Sequence, residues 1–536
     1  MKMIRITSQS TPGGSNELRA VDSPARRRFV IDSSAILLGT AVAPSMSYAA
    51  GAAVATPASA VDLPQAHELS LIEAAQAITA KRITSERYSE VLLKRTHDLA
   101  FLNSFITVDD EKALSAARVA DKERLAGKRH VLPGLPIGVK DSYLTKDLPT
   151  SFGTQVARGF RPATDAKVVS AVKGAGCIVL GKNNLVEMSY GLTGLNAHYG
   201  QAKNPYNALH VTGGSSCGGA ASVAARLVPA ALGGDTVGSI RVPSALCGVV
   251  GFKPTPGRWS GSGVAPISNT LDTTGPIARR VSDCELLDAI ATGGSPSLQR
   301  IPAGLRGTRL AVARRYYLDG ADPEVEKIFN ETISKLKDAG ASVVEVDLGG
   351  DFGPLVEEAN WALFFHDTQP DVTAFLRDQK VPVTFEEIYE GLEPHIKARW
   401  QRFVLETGPD YTRKAAYQEA VAVRRPEVQR RFVREVFSRA DAIVFPTTLC
   451  AAPTIAEQWQ FSVAGRTVND VFLSRNTYPA SFAGLPGISI PMGLTKNGLP
   501  LGLELDGSSG NDRALLALAR RVEQVIGFLP PPQVAT

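Results

Sequence analysis

Between Gly213 and Ser222 the chain reads GGSSCGGAAS, ten consecutive positions with nothing larger than a cysteine. This run constrains the fold most, because small residues let one backbone approach another or reach a bound molecule. A flexible linker is the simplest reading of a Gly/Ser run. Here, however, the run continues without a break into AASVAARLVPAALG, an apolar, helix-like segment. It therefore reads as a loop leading into a buried helix. Its three hydroxyls, Ser215, Ser216 and Ser222, have little neighbouring bulk to shield them.

Around this loop, strand-like and helix-like segments alternate. LPGLPIGVKD reads as a buried strand, and VVSAVKGAG followed by CIVLGKNN as a helix, a glycine stop and a second buried strand. From Gly307, TRLAVARRYY, EVEKIFNETISKLKDAG and SVVEVDL form a βαβ-like unit. ADAIVFPTT and PGISIPMG add two more buried strands, and RALLALARRVEQVIG a last helix. Helical spacing also marks residues 69–99, where Ser85 and Glu86 suit the start of a second helix, and DDEKALSAARVADKERLAG. Residues 352–440 are mostly helical and amphipathic, with no chemical motif. Such alternation predicts an α/β layered fold. The length of 536 residues would alone suggest about three or four units, but one large sheet can use it as a single body.

The net charge is +5, of which the first fifty residues carry +3, so nothing calls for a nucleic-acid partner and no basic stripe with interleaved aromatics occurs. Those residues read as an export signal. Arg26-Arg27-Arg28-Phe29-Val30 resembles the twin-arginine motif, followed by a short, moderately apolar run and small residues suited to cleavage near Ala49 or Ala50. Residues 51–62 read as a linker, and 63–528 as one domain. The expected location is the periplasm or outside the cell. No other stretch reaches eighteen apolar residues, so no membrane contact is expected once the signal is removed. Five cysteines without CxxC spacing predict small core residues rather than a disulfide framework.

The seven histidines are scattered, without HExxH or paired His/Cys spacing, and no GxxxxGK[ST] occurs; no metal or other cofactor is expected. Gly214-Ser215-Ser216-Cys217-Gly218 formally matches the G-x-S-x-G nucleophile elbow, but only His366 and His395 lie well downstream, both in the amphipathic helical region. The stretch GGDTVGSIRVP, from Gly233 to Pro243, offers another serine. With Ser239 as nucleophile, backbone N–H groups around Thr236, Val237, Gly238 and Ser239 would form an oxyanion hole. Serine needs a base, and without a nearby histidine lysine is the remaining candidate. Lys140 sits on an apolar strand between positions that suggest burial, which lowers a lysine pKa. The competing reading of Lys140 is a structural lysine paired with a carboxylate.

Together, GLPIGVKDSY and GGSSCGGAASVAARLVPAALGGDTVGSIRVPSALCGVVGFKPT resemble the amidase signature family, over residues 65–525 and most strongly over 131–256. The resemblance implies a three-layer α/β/α fold with a mixed central sheet wrapped by helices. It implies a Ser–cisSer–Lys set in which Ser239 is acylated, Lys140 is the terminal base and Ser215, 24 residues before the nucleophile, relays the proton. It further implies a cis peptide at Gly214–Ser215, a supporting hydroxyl at Ser216, Ser189 at the substrate, and Asp235 and Arg241 fixing the turn that carries the nucleophile. Val237 and Cys217 stand where the family usually has glycine; valine is strained if that position needs a positive φ and otherwise narrows the site.

Within the family, GVAPISNTLDTTGPIARRVSDCELLDAI and NSFITVDDEKALSAARVAD are most similar in look to indoleacetamide and mandelamide hydrolases. This implies hydrolysis of a small arylalkyl carboxamide to acid and ammonia. Trp361, Phe364 and Phe365 would either wall an apolar pocket or pack in an ordinary core. Two alternatives stand: the same residues acting on anilides, carbamates or esters, and a non-catalytic chain or one of amidotransferase type. The sequence is compatible with a homodimer.

Overall fold

The computed structural model describes residues 63–294 and 304–534. The expected export signal and the linker therefore lie outside the described residues. Among the described residues there are fifteen strands, in chain order: β1 Phe105–Val108, β2 Pro136–Lys140, β3 Ile178–Asn183, β4 Lys203–Asn204, β5 Asn207–Val211, β6 Ala230–Asp235, β7 Val250–Lys253 and β8 Thr273–Ala278. They continue with β9 Arg309–Val312, β10 Ser342–Glu345, β11 Ala442–Pro446, β12 Gln460–Val463, β13 Arg466–Asn469, β14 Gly487–Leu494 and β15 Pro500–Asp506.

Eleven of them form one mixed sheet in the order β1-β3-β2-β6-β8-β7-β14-β15-β11-β9-β10. β2 runs parallel to both β3 and β6, with Val139 opposite Leu232, whereas β6 meets β8 antiparallel. The central strands are buried on both faces, hence their continuous apolar runs. Helices cover them, among them Cys217–Ala224, Val281–Ala291, Pro323–Asp338 and Asp512–Ile526. Among the described residues no helix is long and apolar enough to cross a membrane.

The chain beyond the small-residue loop differs from its sequence reading. The apolar segment expected as one helix is a helix only over Cys217–Ala224; the rest becomes β6. The apolar run continues because both elements are buried core, one packed on the other. Likewise, TRLAVARRYY splits into β9 and a one-turn helix, Arg314–Tyr317. The expected helical region holds the 27-residue helix Phe352–Asp378 and several shorter ones. All five cysteines are buried and free.

Candidate active site

Two parallel neighbours, β2 and β6, end side by side, and their last residues are Lys140 and Asp235. Ligand sites in α/β sheets gather at such carboxyl ends. After β6 the chain turns through Thr236–Ile240 into the short helix Arg241–Leu246, bringing Ser239 into the turn. The small-residue loop reaches the same place. Gly213 has φ +77°, and a Cβ on it would lie 2.9 Å from Pro243 Cα. A Cβ on Gly214 would lie 2.8 Å from the Gly191 carbonyl oxygen. The run is glycine-rich because three chain segments meet here backbone to backbone. The Gly214–Ser215 peptide is cis.

Lys140 Nζ donates to Ser215 Oγ at 2.8 Å, and the lysine is buried. Burial lowers its pKa from the ordinary value to about 8, against the opposing pull of Cys217, Asp272 and Asp235. It makes no salt bridge with a carboxylate among the described residues, unlike Lys182 on β3, which pairs with Asp141 at 2.8 Å. Ser239 is tied to the same loop by the Ser216 N–H, which donates to its carbonyl at 3.1 Å. Its own hydroxyl makes no hydrogen bond to Ser215 in this structure.

The elbow serine is accounted for otherwise. Ser216 Oγ donates to the Gly234 carbonyl at 3.1 Å and accepts its N–H at 3.2 Å, pinning the loop to β6. Ser222 Oγ is similarly engaged, donating to the Gly219 carbonyl at 2.9 Å. No histidine lines either of the cavities described below; His366 bonds the Thr412 carbonyl and His395 stacks on Trp459.

The turn is built on Asp235. Its carboxylate accepts the N–H groups of Gly238 (2.8 Å) and Ile240 (3.1 Å), and the Arg241 side chain through Nε and Nη2, both at 3.0 Å. Burial alone would raise the Asp235 carboxyl, but the paired guanidinium outweighs it and holds it below its ordinary value. Arg241 continues to Glu504 at 3.2 Å and Ser481 at 2.9 Å. Asp235 and Arg241 thus fix the turn as expected. One expected donor is corrected: the Gly238 N–H is spent on Asp235. The N–H groups of Thr236, Val237 and Ser239 have no acceptor among the described residues. Gly238 has φ +139°, and a Cβ there would lie 2.2 Å from Thr477 Oγ1. Val237 has no positive φ, so its side chain is unstrained and becomes a wall.

Two cavities meet at Ser189, which lines both and holds φ +61°, a left-handed conformation uncommon outside glycine. One, of about 350 Å³, is walled by Ser239, Val237, Tyr190, Trp361, Phe364, Phe365 and Phe403, with Arg399 also lining it. The aromatics pack on one another: Phe365 stacks on Phe403 at 4.7 Å and Trp361 on Phe365 at 5.7 Å. The other, of about 220 Å³, is more polar and includes Lys140, Thr236, Thr273 and Asp272. Tyr190, Phe403, Arg399 and Asp272 escaped sequence analysis: Arg399 and Phe403 share the helix Pro394–Phe403, Tyr190 follows Ser189, and none carries a local motif. Among the described residues no cluster of three or more His, Cys, Asp or Glu side chains could hold a metal ion.

A mixed sheet whose strand ends present a buried lysine and small-residue turns of serines fits an amide-bond hydrolase. The chain belongs to the amidase family: the model described as Amidase matches residues 90–516. It is 36% identical over 483 residues to the mandelamide hydrolase of Pseudomonas putida, covering 87% of this chain and 93% of that one. It is 35% identical over 489 residues to one component of the glutamyl-tRNA(Gln) amidotransferase of Azotobacter vinelandii, covering 85% and 97%. Among solved structures, the peptide amidase of Stenotrophomonas maltophilia superposes with a TM-score of 0.71 at 28% identity, covering 88% of this chain and all of that one.

Proposed function

We propose that the protein hydrolyses small arylalkyl carboxamides to the carboxylic acid and ammonia through an acyl-enzyme on Ser239. The observation that carries this reading is the aromatic cavity with Ser239 in its wall. An aryl ring there leaves water and stacks against Trp361, Phe365 or Phe403. The similarity to a mandelamide hydrolase supports the same substrate class.

In the proposed reaction Ser239 Oγ attacks the amide carbonyl and passes its proton to Ser215 Oγ, whose own proton goes to neutral Lys140. The hydrogen bond between Lys140 and Ser215 supplies the last link. The contact between the two serines forms when substrate is bound, as catalytic hydrogen bonds often tighten only then. The N–H groups of Thr236, Val237 and Ser239 are the available donors for the developing oxyanion. The relay then runs backwards: Lys140, through Ser215, protonates the departing nitrogen as the C–N bond breaks. Water next attacks the ester, giving its proton to the same relay, and the acid leaves with Ser239 restored.

A second reading, glutamine hydrolysis as part of an amidotransferase, draws on the similarity to the Azotobacter vinelandii amidotransferase component. The aromatic walls disfavour it, because an α-ammonium and α-carboxylate would lose hydration against them. Assaying ammonia release from phenylacetamide, mandelamide and glutamine separates the two. Turnover of the aryl amides and none of glutamine is expected; the reverse order would replace the first reading with the second. We also propose export to the periplasm or beyond, on the arginine cluster and small-residue stretch. An N-terminus near residue 50 in protein recovered from the producing cells is the expected result, and an uncleaved chain in the cytoplasm the contrary one.

A further inference from the structure

Asp272 lines the polar cavity beside Lys140, and the proposed reaction leaves it unused. It stands just before β8 and is half-buried. Its carboxylate is held on both oxygens: Oδ1 accepts the Thr236 hydroxyl at 2.6 Å, and Oδ2 accepts the N–H groups of Ile267 (2.8 Å) and Ser268 (3.1 Å). It has no salt-bridge partner among the described residues. A carboxylate largely withdrawn from water and without a cation partner is costly, and such groups cluster at functional sites. Thr236 begins the turn that carries Ser239, so the carboxylate grips that turn at its first residue. Among the described residues that line this cavity, Lys140 is the one cation.

We propose that Asp272 is a positioning residue of the reaction, serving as counter-charge to Lys140 across the polar cavity and as anchor of the Ser239 turn through Thr236. This rests on the assignment of Lys140 as base. The surroundings allow it. Lys140 is faced by Cys217 from the helix behind the loop, Asp235 at the end of β6 and Asp272 itself. Asp272 is faced from the helix Phe352–Asp378 by Asp367, which accepts from Ser268 Oγ at 2.5 Å, and by Asp371, which accepts from the Asn269 N–H at 2.7 Å. Tyr190 lies nearby, and Arg425 faces Asp367. Burial first, then the neighbouring Asp371, raises the Asp272 carboxyl to about 7 against its three hydrogen bonds. It is therefore mostly ionised in the alkaline range where Lys140 loses its proton, and there its charge favours the ammonium form.

The test is the pH dependence of kcat/KM in the full chain, with an uncharged aryl amide. Asp272→Asn keeps the shape and removes the charge; its amide oxygen still accepts the Ile267 and Ser268 N–H groups, while its NH2 donates to Thr236 Oγ1 instead of accepting from it. Its acidic limb should move to lower pH by about one unit, so that it retains a larger share of its plateau rate at pH 7 than the wild type. Asp272→Glu, which keeps the charge, should leave the limb near its wild-type position. Thr236→Val should lower kcat without moving the limb. A folded Asp272→Asn protein whose limb is unmoved overturns the counter-charge, and a Thr236→Val protein with undiminished kcat overturns the anchor. Folding is checked by thermal melting, and Asp272→Ser serves with the same readout where the asparagine variant does not fold. Failure of the base assignment would look different: Lys140→Ala would stay active, whatever Asp272 does.

Discussion

Lys140 and Lys182 stand on adjacent parallel strands, both out of water, and differ in what meets the ammonium. Lys182 has a carboxylate at 2.8 Å, the Tyr143 carbonyl at 2.8 Å and the Thr150 hydroxyl at 2.7 Å. Those partners offset part of the cost of burying the charge, although burial still holds this lysine below its ordinary value, and they describe a structural lysine. Lys140 has one hydroxyl, at 2.8 Å. Its ammonium is poorly compensated, so it gives up its proton near pH 8. The sign follows directly: the protonated form cannot accept a proton, so activity is low below that pH and rises through it towards a plateau. A pH–rate profile with an uncharged amide should show one rising limb with midpoint near 8. A midpoint of about 6.5 would indicate a histidine base. The double variant Lys140→Ala/Ser239→Ala should be little slower than either single variant, since members of one relay are not additive.

The element that shapes the site is the turn between β6 and the helix Arg241–Leu246, and its stability is electrostatic. Arg241 is fully buried and its guanidinium answers both Asp235 and Glu504. Arg241→Met would leave those carboxylates without their cation at a cost of about 3–5 kcal/mol. Urea unfolding should show that loss of stability, together with reduced activity in the fraction that folds. A loss below about 1 kcal/mol would mean that the turn does not depend on the pair. In the sequence this turn showed as a small-residue stretch with a serine; the roles of Asp235 and Arg241, six residues apart, came from the family resemblance, and the clash of a Cβ at Gly238 with distant Thr477 only from the fold. The strands beside it were not legible. TTGPIA in β8 carries a glycine and a proline, and PLGLELD in β15 buries Glu504 and Asp506, so neither shows the apolar run of a central strand. The helix expected to continue from the loop broke into helix and strand because burial on both sides erased the periodicity that separates them.

At the scale of the whole molecule, the sheet brings together segments that no sequence window contains. Lys140 and Ser239 were within reach of sequence analysis because each sits in an apolar or small-residue stretch, whereas the choice of Ser215 among the loop's serines came from the family resemblance. Asp272, Arg399 and Phe403 arrive from distant segments, and only packing makes them neighbours of the site. Packing also decided Trp361, Phe364 and Phe365, which the sequence left between core and pocket and which wall the cavity that Ser239 shares. In the proposed reaction this cavity delivers an acyl group to Ser239 and to no other serine. Mass spectrometry of the protein quenched during turnover of a slow aryl ester or anilide tests it most directly. Trypsin separates the candidates: cleavage after Lys203, Arg226 and Arg241 places Ser215, Ser216 and Ser222 in the peptide 204–226 and Ser239 in the peptide 227–241. The acyl mass should appear on the peptide 227–241 alone and vanish in Ser239→Ala. An acyl mass on the peptide 204–226 would contradict the account.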